Sequence, residues 1–159
     1  MRSLFEAALG IILAVALHTI LGKISVSLLF IFNAFSWVVL YFSLMRHEAF
    51  GAVMGTACGL LQDSFSFGIF GVGGLTKTLL GFATGLISRK IDVTPVARSF
   101  IFLLIVSTME LALWKFLIFF LFRERLAIGG GLVFFQPLST AFFVTLLFQI
   151  MRKARGETS

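Results

Sequence analysis

The sequence predicts an all-α integral membrane protein, a compact six-transmembrane-helix bundle forming a single domain over residues 1–159, and three observations lead there. Hydrophobic residues make up 59% of the chain and charged residues only 13%, with a mean hydropathy of +1.07, more apolar than a water-facing surface tolerates. The apolar residues fall into six long runs separated by short polar breaks. Proline contributes 2 residues against 21 phenylalanines, so little interrupts the helices that must satisfy every backbone amide inside lipid.

The runs cover residues 4–22, 24–45, 48–67, 70–88, 97–122 and 126–151, each near the ~20 residues a helix needs to cross a bilayer. The first follows Arg2 and ends at Gly22-Lys23. With Ala14-Val15-Ala16 it imitates a cleavable signal peptide, but Glu6 interrupts the flank, and a retained span is expected. The second run closes at Arg46-His47. A turn at Gly68 separates the third from the fourth, Arg89 to Val96 with Pro95 separates the fourth from the fifth, and Arg123-Glu124-Arg125 precedes the last.

An even number of crossings puts both termini on one side, and the basic residues say which. Of the 13 Lys and Arg residues, eight lie on the terminal side: Arg2, Arg46, Arg89, Lys90, Arg98, Arg152, Lys153 and Arg155. Three lie opposite (Lys23, Arg123, Arg125) and two inside spans (Lys77, Lys115). By the positive-inside rule both termini are expected in the cytoplasm of a bacterium, with the protein in its inner membrane. The net charge of +6 does not indicate nucleic acid, because the cations are scattered between apolar runs and form no basic face. Cys58 is the only cysteine, so no intrachain disulfide forms, and with His18 and His47 far apart no metal site is expected.

Residues 51–88, GAVMGTACGLLQDSFSFGIFGVGGLTKTLLGFATGLIS, differ in kind from the rest. Gly51, Gly55 and Gly59 recur every fourth residue and lay a flat strip along one helix face, and Gly81 and Gly85 repeat the spacing on the next helix. Such strips let two helix backbones approach closely, either within the chain or against a partner or second copy. Asp63 and Lys77 are equidistant from Phe70, near the expected turn, so an ion pair between them at common depth is expected, with separate snorkelling to the outer interface or a ligand or partner contact as the alternatives.

The same stretch resembles the family of the rod-shape-determining protein MreD. Members are small, Phe- and Leu-rich six-span proteins with a G-x-x-x-G-x-x-x-G-L-L-x-D run, a Gly-containing turn and an A-L-x-K-T-L-x-G helix. The matching residues are Gly51, Gly55, Gly59, Leu60, Leu61 and Asp63, then Gly68, Gly71, Leu75, Lys77, Thr78, Leu79 and Gly81, with Gly74 where the family often has Ala. Motif-level similarity covers 38 of the 159 residues. The resemblance implies a non-catalytic scaffold of the cell-elongation machinery. Such a scaffold binds the bitopic protein MreC and, through it, the peptidoglycan synthases and the MreB filament.

Outside that stretch, Glu110 lies near the middle of the fifth span, where a carboxylate must be partnered or protonated. Lys115, five residues on, is about 140° around the helix and a poor intrahelical partner. Glu110 is therefore expected to bond another span, to line a proton or substrate path, or to meet a partner. His18 and Asn33 are expected to hydrogen-bond between helices, while Trp37, Tyr41 and Trp114 read as packing or interfacial residues. Gly129, Gly130 and Gly131 lack the preceding strand and following Lys-Ser or Lys-Thr of a phosphate loop, and read as an end of the last helix.

Embedded Asp63, Lys77 and Glu110 also resemble the small substrate-binding subunits of energy-coupling-factor transporters, which implies small-molecule binding or transport as the alternative function. An intramembrane enzyme is disfavoured, since paired intramembrane aspartates, His-Glu-x-x-His and Gly-x-Ser-x-Gly are all missing from the sequence. No cofactor is expected.

Overall fold

Long apolar runs have one stable backbone solution in lipid, and the computed structural model adopts it. The structure describes residues 2–65, 70–122 and 130–154, and these are helical with no strand among them. The expected Gly68 turn, the charges at Arg123, Glu124, Arg125 and Arg155, and Gly129 lie outside the described residues.

In chain order the elements are α1 (Arg2–Ile24), α2 (Val26–Ile31), α3 (Ala34–Met45), α4 (Glu48–Phe65), α5 (Val72–Ser88), α6 (Val96–Phe122), a 3-10 turn (Gly130–Phe135) and α7 (Gln136–Ala154). Among the described residues, four segments are long and apolar enough to cross a membrane: Phe5–Ile24, Val26–Met45, Val96–Leu121 and Gly131–Ala154. The remaining two helices, α4 and α5, have 18 and 17 residues. At 1.5 Å per residue they are about 27 and 26 Å long, just short of a ~30 Å hydrocarbon core.

The second run is not one helix, which corrects the uninterrupted span expected over 24–45. Asn33 breaks it: its backbone leaves the helical region at φ −94°, ψ 88°, and its side-chain oxygen accepts the Ser36 amide at 3.3 Å, capping α3. Capping removes an orphan amide that lipid could not satisfy. Asn33 therefore acts within its own segment, in place of the expected interhelical bond. His18 departs from expectation in the same direction. Its ring sits against Phe35 and Phe65, with centroids at 5.2 and 5.5 Å, and it makes no hydrogen bond among the described contacts.

Two apolar clusters hold the bundle. One joins α1, α3 and α4 through Ala14, Phe35, Val39, Phe42, Met54 and Cys58. The other joins α3, α5, α6 and α7 through Leu40, Leu80, Leu103, Val106, Ala141 and Val144. Trp37 stacks on Phe143 with centroids 4.6 Å apart, and Lys115 lies over the Phe134 ring at 4.3 Å, which gives that intramembrane ammonium a partner in the 3-10 turn.

Charged residues gather at one end of the bundle. Arg46 meets Glu6 and Arg89 meets Glu48, each at 3.0 Å, Arg89 also contacts His47, and Arg98 meets Asp92 at 3.3 Å. Arg152 and Gln149 both donate to the Thr94 carbonyl at 3.0 Å, tying α7 to the α5–α6 loop. Within that loop the hydroxyl and amide of Thr94 hold the Asp92 carboxyl below its usual range. Exposed pairs of this kind add little stability, but they mark where the helices leave lipid.

Candidate functional site

The glycine strip is used inside the chain, where it fixes the register of α4 against α5. A Cβ at Gly51 would lie 2.6 Å from Ser43 Oγ and closer still to the Gly81 carbonyl oxygen. One at Gly55 would lie 2.8 Å from the Thr78 nitrogen and inside contact distance of the Lys77 carbonyl, and one at Gly59 would lie 2.5 Å from Gly74 Cα. On the facing helix, Cβ atoms at Gly81 and Gly85 would come within 2.7 Å of the Gly51 carbonyl carbon and of Glu48 Cα. Main chain of the facing helix lies against each of these glycines, so no side chain fits at any of them.

The register contradicts the expected Asp63–Lys77 pair. Each step of four residues from Gly51 to Gly55 to Gly59 is matched by a step of four back along α5, from Gly81 to Lys77 to Gly73. Lys77 is therefore level with Gly55, two turns from Asp63, which is about 12 Å along the helix. Moreover, the Lys77 main chain lies against Gly55, so its side chain leaves α5 toward the other neighbours, α3 and α6.

Asp63 meets a different need. Its Oδ2 accepts the amides of Gly71 at 2.8 Å and Gly74 at 3.1 Å, capping the first turn of α5 from the end of α4. Gly71 has a φ of +100°, the left-handed conformation that glycine adopts without penalty, and Gly73 leaves room where a Cβ would strike the carboxylate. A carboxylate at a helix N-terminus satisfies orphan donors and complements the helix dipole. We therefore expect Asp63→Ala to cost about 0.5–2 kcal/mol and to add independently to Lys77→Ala in a thermal-unfolding double-mutant cycle. A coupling above ~0.5 kcal/mol would contradict the assignment of Asp63 as a cap.

Lys77 pairs instead with Glu110. The Lys77 Nζ and Glu110 Oε1 form an ion pair between α5 and α6, with side chains 4% and 6% exposed. Ser36, on α3, completes the cluster by accepting from Lys77 Nζ at 2.7 Å and donating to Glu110 Oε1 at 2.6 Å. Three helices thus converge on one neutral assembly. Glu110 bonds other spans, as one of its expected roles required, but its partners are Lys77 and Ser36. A buried ion pair is tolerated when its geometry and hydrogen bonds offset the loss of hydration, and here the serine supplies the extra contact.

Ser36 is the member that sequence reasoning missed. Its signal lies in the second run, where Asn33, Ser36, Leu40 and Ser43 recur at three- and four-residue intervals and form one buried stripe on an otherwise apolar segment. Chemically, the Ser36–Lys77–Glu110 cluster binds charge to charge and ties three helices together. Among the described residues no group of three or more His, Cys, Asp and Glu side chains is placed to hold a metal ion.

No known protein family, curated protein or solved structure matches this chain.

Proposed function

We propose that the chain is a non-catalytic membrane scaffold of the MreD kind, resident in a bacterial inner membrane with both termini in the cytoplasm. The observation that carries this reading is the use made of the residues that resemble the family. Gly51, Gly55 and Gly59 seat α4 on α5, Asp63 caps α5, and Lys77 anchors it to α3 and α6. The motif is thus a structural knot, which suits a protein whose task is to present a fixed set of helix faces. Broad apolar faces remain on the outside: Phe5, Ile12 and Leu13 on α1 and Ile101, Ile105, Met109 and Phe116 on α6 are each more than half exposed. A single-span partner packs on such faces through helix contacts.

Under this reading the direct partner is an MreC-type bitopic protein, with peptidoglycan synthases and MreB reached through it, and the loss of the chain costs a rod-shaped cell its shape. The test is extraction of the tagged protein from its own membrane in mild detergent, with the retained species identified. Stoichiometric recovery of a bitopic membrane protein is the expected result. Recovery of the chain alone, or with a small organic molecule, would overturn the scaffold and favour the transport-type alternative.

A further inference from the structure

Hydroxyl groups in this bundle have a standard way of avoiding an unmet hydrogen bond in lipid: they donate to the carbonyl four residues earlier. Ser43, Thr56, Thr76, Thr78 and Thr108 all do so, at 2.7–3.0 Å. Thr84, Ser99, Thr140 and Thr145 do not. They are 0–5% exposed, and their hydroxyl oxygens have no protein partner. Glu110 Oε2 is equally buried and equally unpartnered, although Oε1 of the same carboxylate takes the contacts from both Ser36 and Lys77.

These five atoms belong to three adjoining helices and are ordered about one apolar layer. Leu80, Leu103, Val106, Ala141 and Val144, with Leu40 of α3, form that layer. Toward the Ser36 end of it lie Glu110, four residues beyond Val106, and Thr140, which directly precedes Ala141. The other way lie Thr84, four beyond Leu80, Ser99, four before Leu103, and Thr145, which directly follows Val144. Each set therefore lies on one side of the layer, about 6 Å from it on α5 and α6 and about 1.5 Å from it on α7, and all five atoms are buried in the common core.

We propose that the core between α3, α5, α6 and α7 holds ordered water in two tiers, one on each side of this apolar layer. Buried polar atoms in folded proteins are nearly always bonded, and each one left bare costs about 1–3 kcal/mol. Five in one core are a large burden for a domain whose net stability is about 5–15 kcal/mol. Water is the occupant of matching chemistry. The Lys77–Glu110 pair is already neutral, so the site has no residual charge to attract an ion, and each water offers both donors for Glu110 Oε2 and acceptors for threonine and serine hydroxyls. Buried waters occur at about one per 27 residues, about six for a chain of this length.

Radiolytic footprinting in water enriched in oxygen-18 tests the proposal on the intact protein in nanodiscs. Short exposures form hydroxyl radicals from bound water where it sits, so Leu80, Leu103 and Val106 acquire the heavy oxygen, while lipid-facing Ile105 and Met109 on the same helix stay unlabelled. A second arm compares the Thr84→Val, Ser99→Ala, Thr145→Val triple variant, in which the tier next to Leu80 and Leu103 loses its polar lining. Their label should disappear while that at Val106, beside Glu110, remains. Absence of label from all three core residues in the wild-type protein would overturn the proposal. So would label that is unchanged in a triple variant unfolding at the wild-type temperature, because the oxygen would then come from bulk solvent. Native mass spectrometry showing a stoichiometric organic molecule in place of water would overturn it as well.

Discussion

Lys77→Ala destabilises the bundle by about 3–5 kcal/mol, the cost of stranding one member of a buried ion pair. Glu110 is 4% exposed, and without the ammonium its carboxylate keeps only the Ser36 hydroxyl. Glu110→Ala strands Lys77 in the same way, at 3% exposure. Replacing both with leucine removes both desolvation penalties and leaves side chains of suitable size for an apolar core, so the double variant is expected to lie within about 1 kcal/mol of the wild type or above it. The measurement is a double-mutant cycle on unfolding in mixed micelles, with Lys77→Leu and Glu110→Leu as its single variants. A double variant whose loss is the sum of the two single losses would show that Lys77 and Glu110 are held by separate partners. Ser36→Ala should be milder than either single charge removal, about 1–3 kcal/mol, because the ion pair survives it.

Gly55→Leu is the second large effect, and it acts through backbone. A Cβ at Gly55 meets the Lys77 carbonyl group and, at 2.8 Å, the Thr78 nitrogen. No rotamer change relieves a clash with main chain, so the two helices have to separate. Overpacking a filled site costs about 1–3 kcal/mol and more where the backbone cannot shift; even Gly55→Ala is expected to reach the upper part of that range. Val53→Leu, on the same helix but 65% exposed, supplies a control that adds apolar volume toward lipid and should leave the unfolding temperature within a degree or two of wild type. Equal effects at the two positions would place the strip on the lipid side and refute the α4–α5 seam. Since Lys77 takes its position from this seam, Gly55→Leu should also weaken the coupling between Lys77 and Glu110.

Much of the helical pattern was legible because lipid leaves so few backbone options. Apolar runs with polar punctuation translate directly into helices, and four-residue glycine spacing translates into a close helix contact. What the pattern does not encode is register. Placing the hairpin's midpoint at Phe70 puts Asp63 level with Lys77, whereas the seam pairs Gly55 with Lys77 and so centres the hairpin several residues earlier. One axial shift was enough to exchange Lys77's partner from an aspartate on the neighbouring helix to a glutamate 33 residues further along the chain. The amides at the start of α5 then claim Asp63, a demand invisible to charge matching alone. Likewise Asn33 read as a bridge between helices because its side chain is polar and its segment apolar; the local demand of the unbonded amides at the buried start of α3 took precedence. Ser36 escaped notice because a lone hydroxyl in a span is ordinarily satisfied by its own helix.

The lengths of the helices have a mechanical consequence. α6 has 27 residues, about 40 Å, while α4 and α5 have 18 and 17. Under the six-span reading, a bilayer wrapped around this bundle is pinched on the hairpin flank, while the longer α6 is accommodated by tilt and by turns beyond the lipid, and the bilayer resists the pinching with fractions of a kcal/mol per Å of mismatch. The rigid glycine seam prevents the short hairpin from lengthening or splaying to meet the lipid, so the lipid has to yield. The protein is thereby matched to regions of membrane that are already thin or easily compressed, and any neighbour with a similarly short flank gains by sharing the pinched zone. Bilayer elasticity alone would then draw the hairpin side toward such neighbours before any side chain touches.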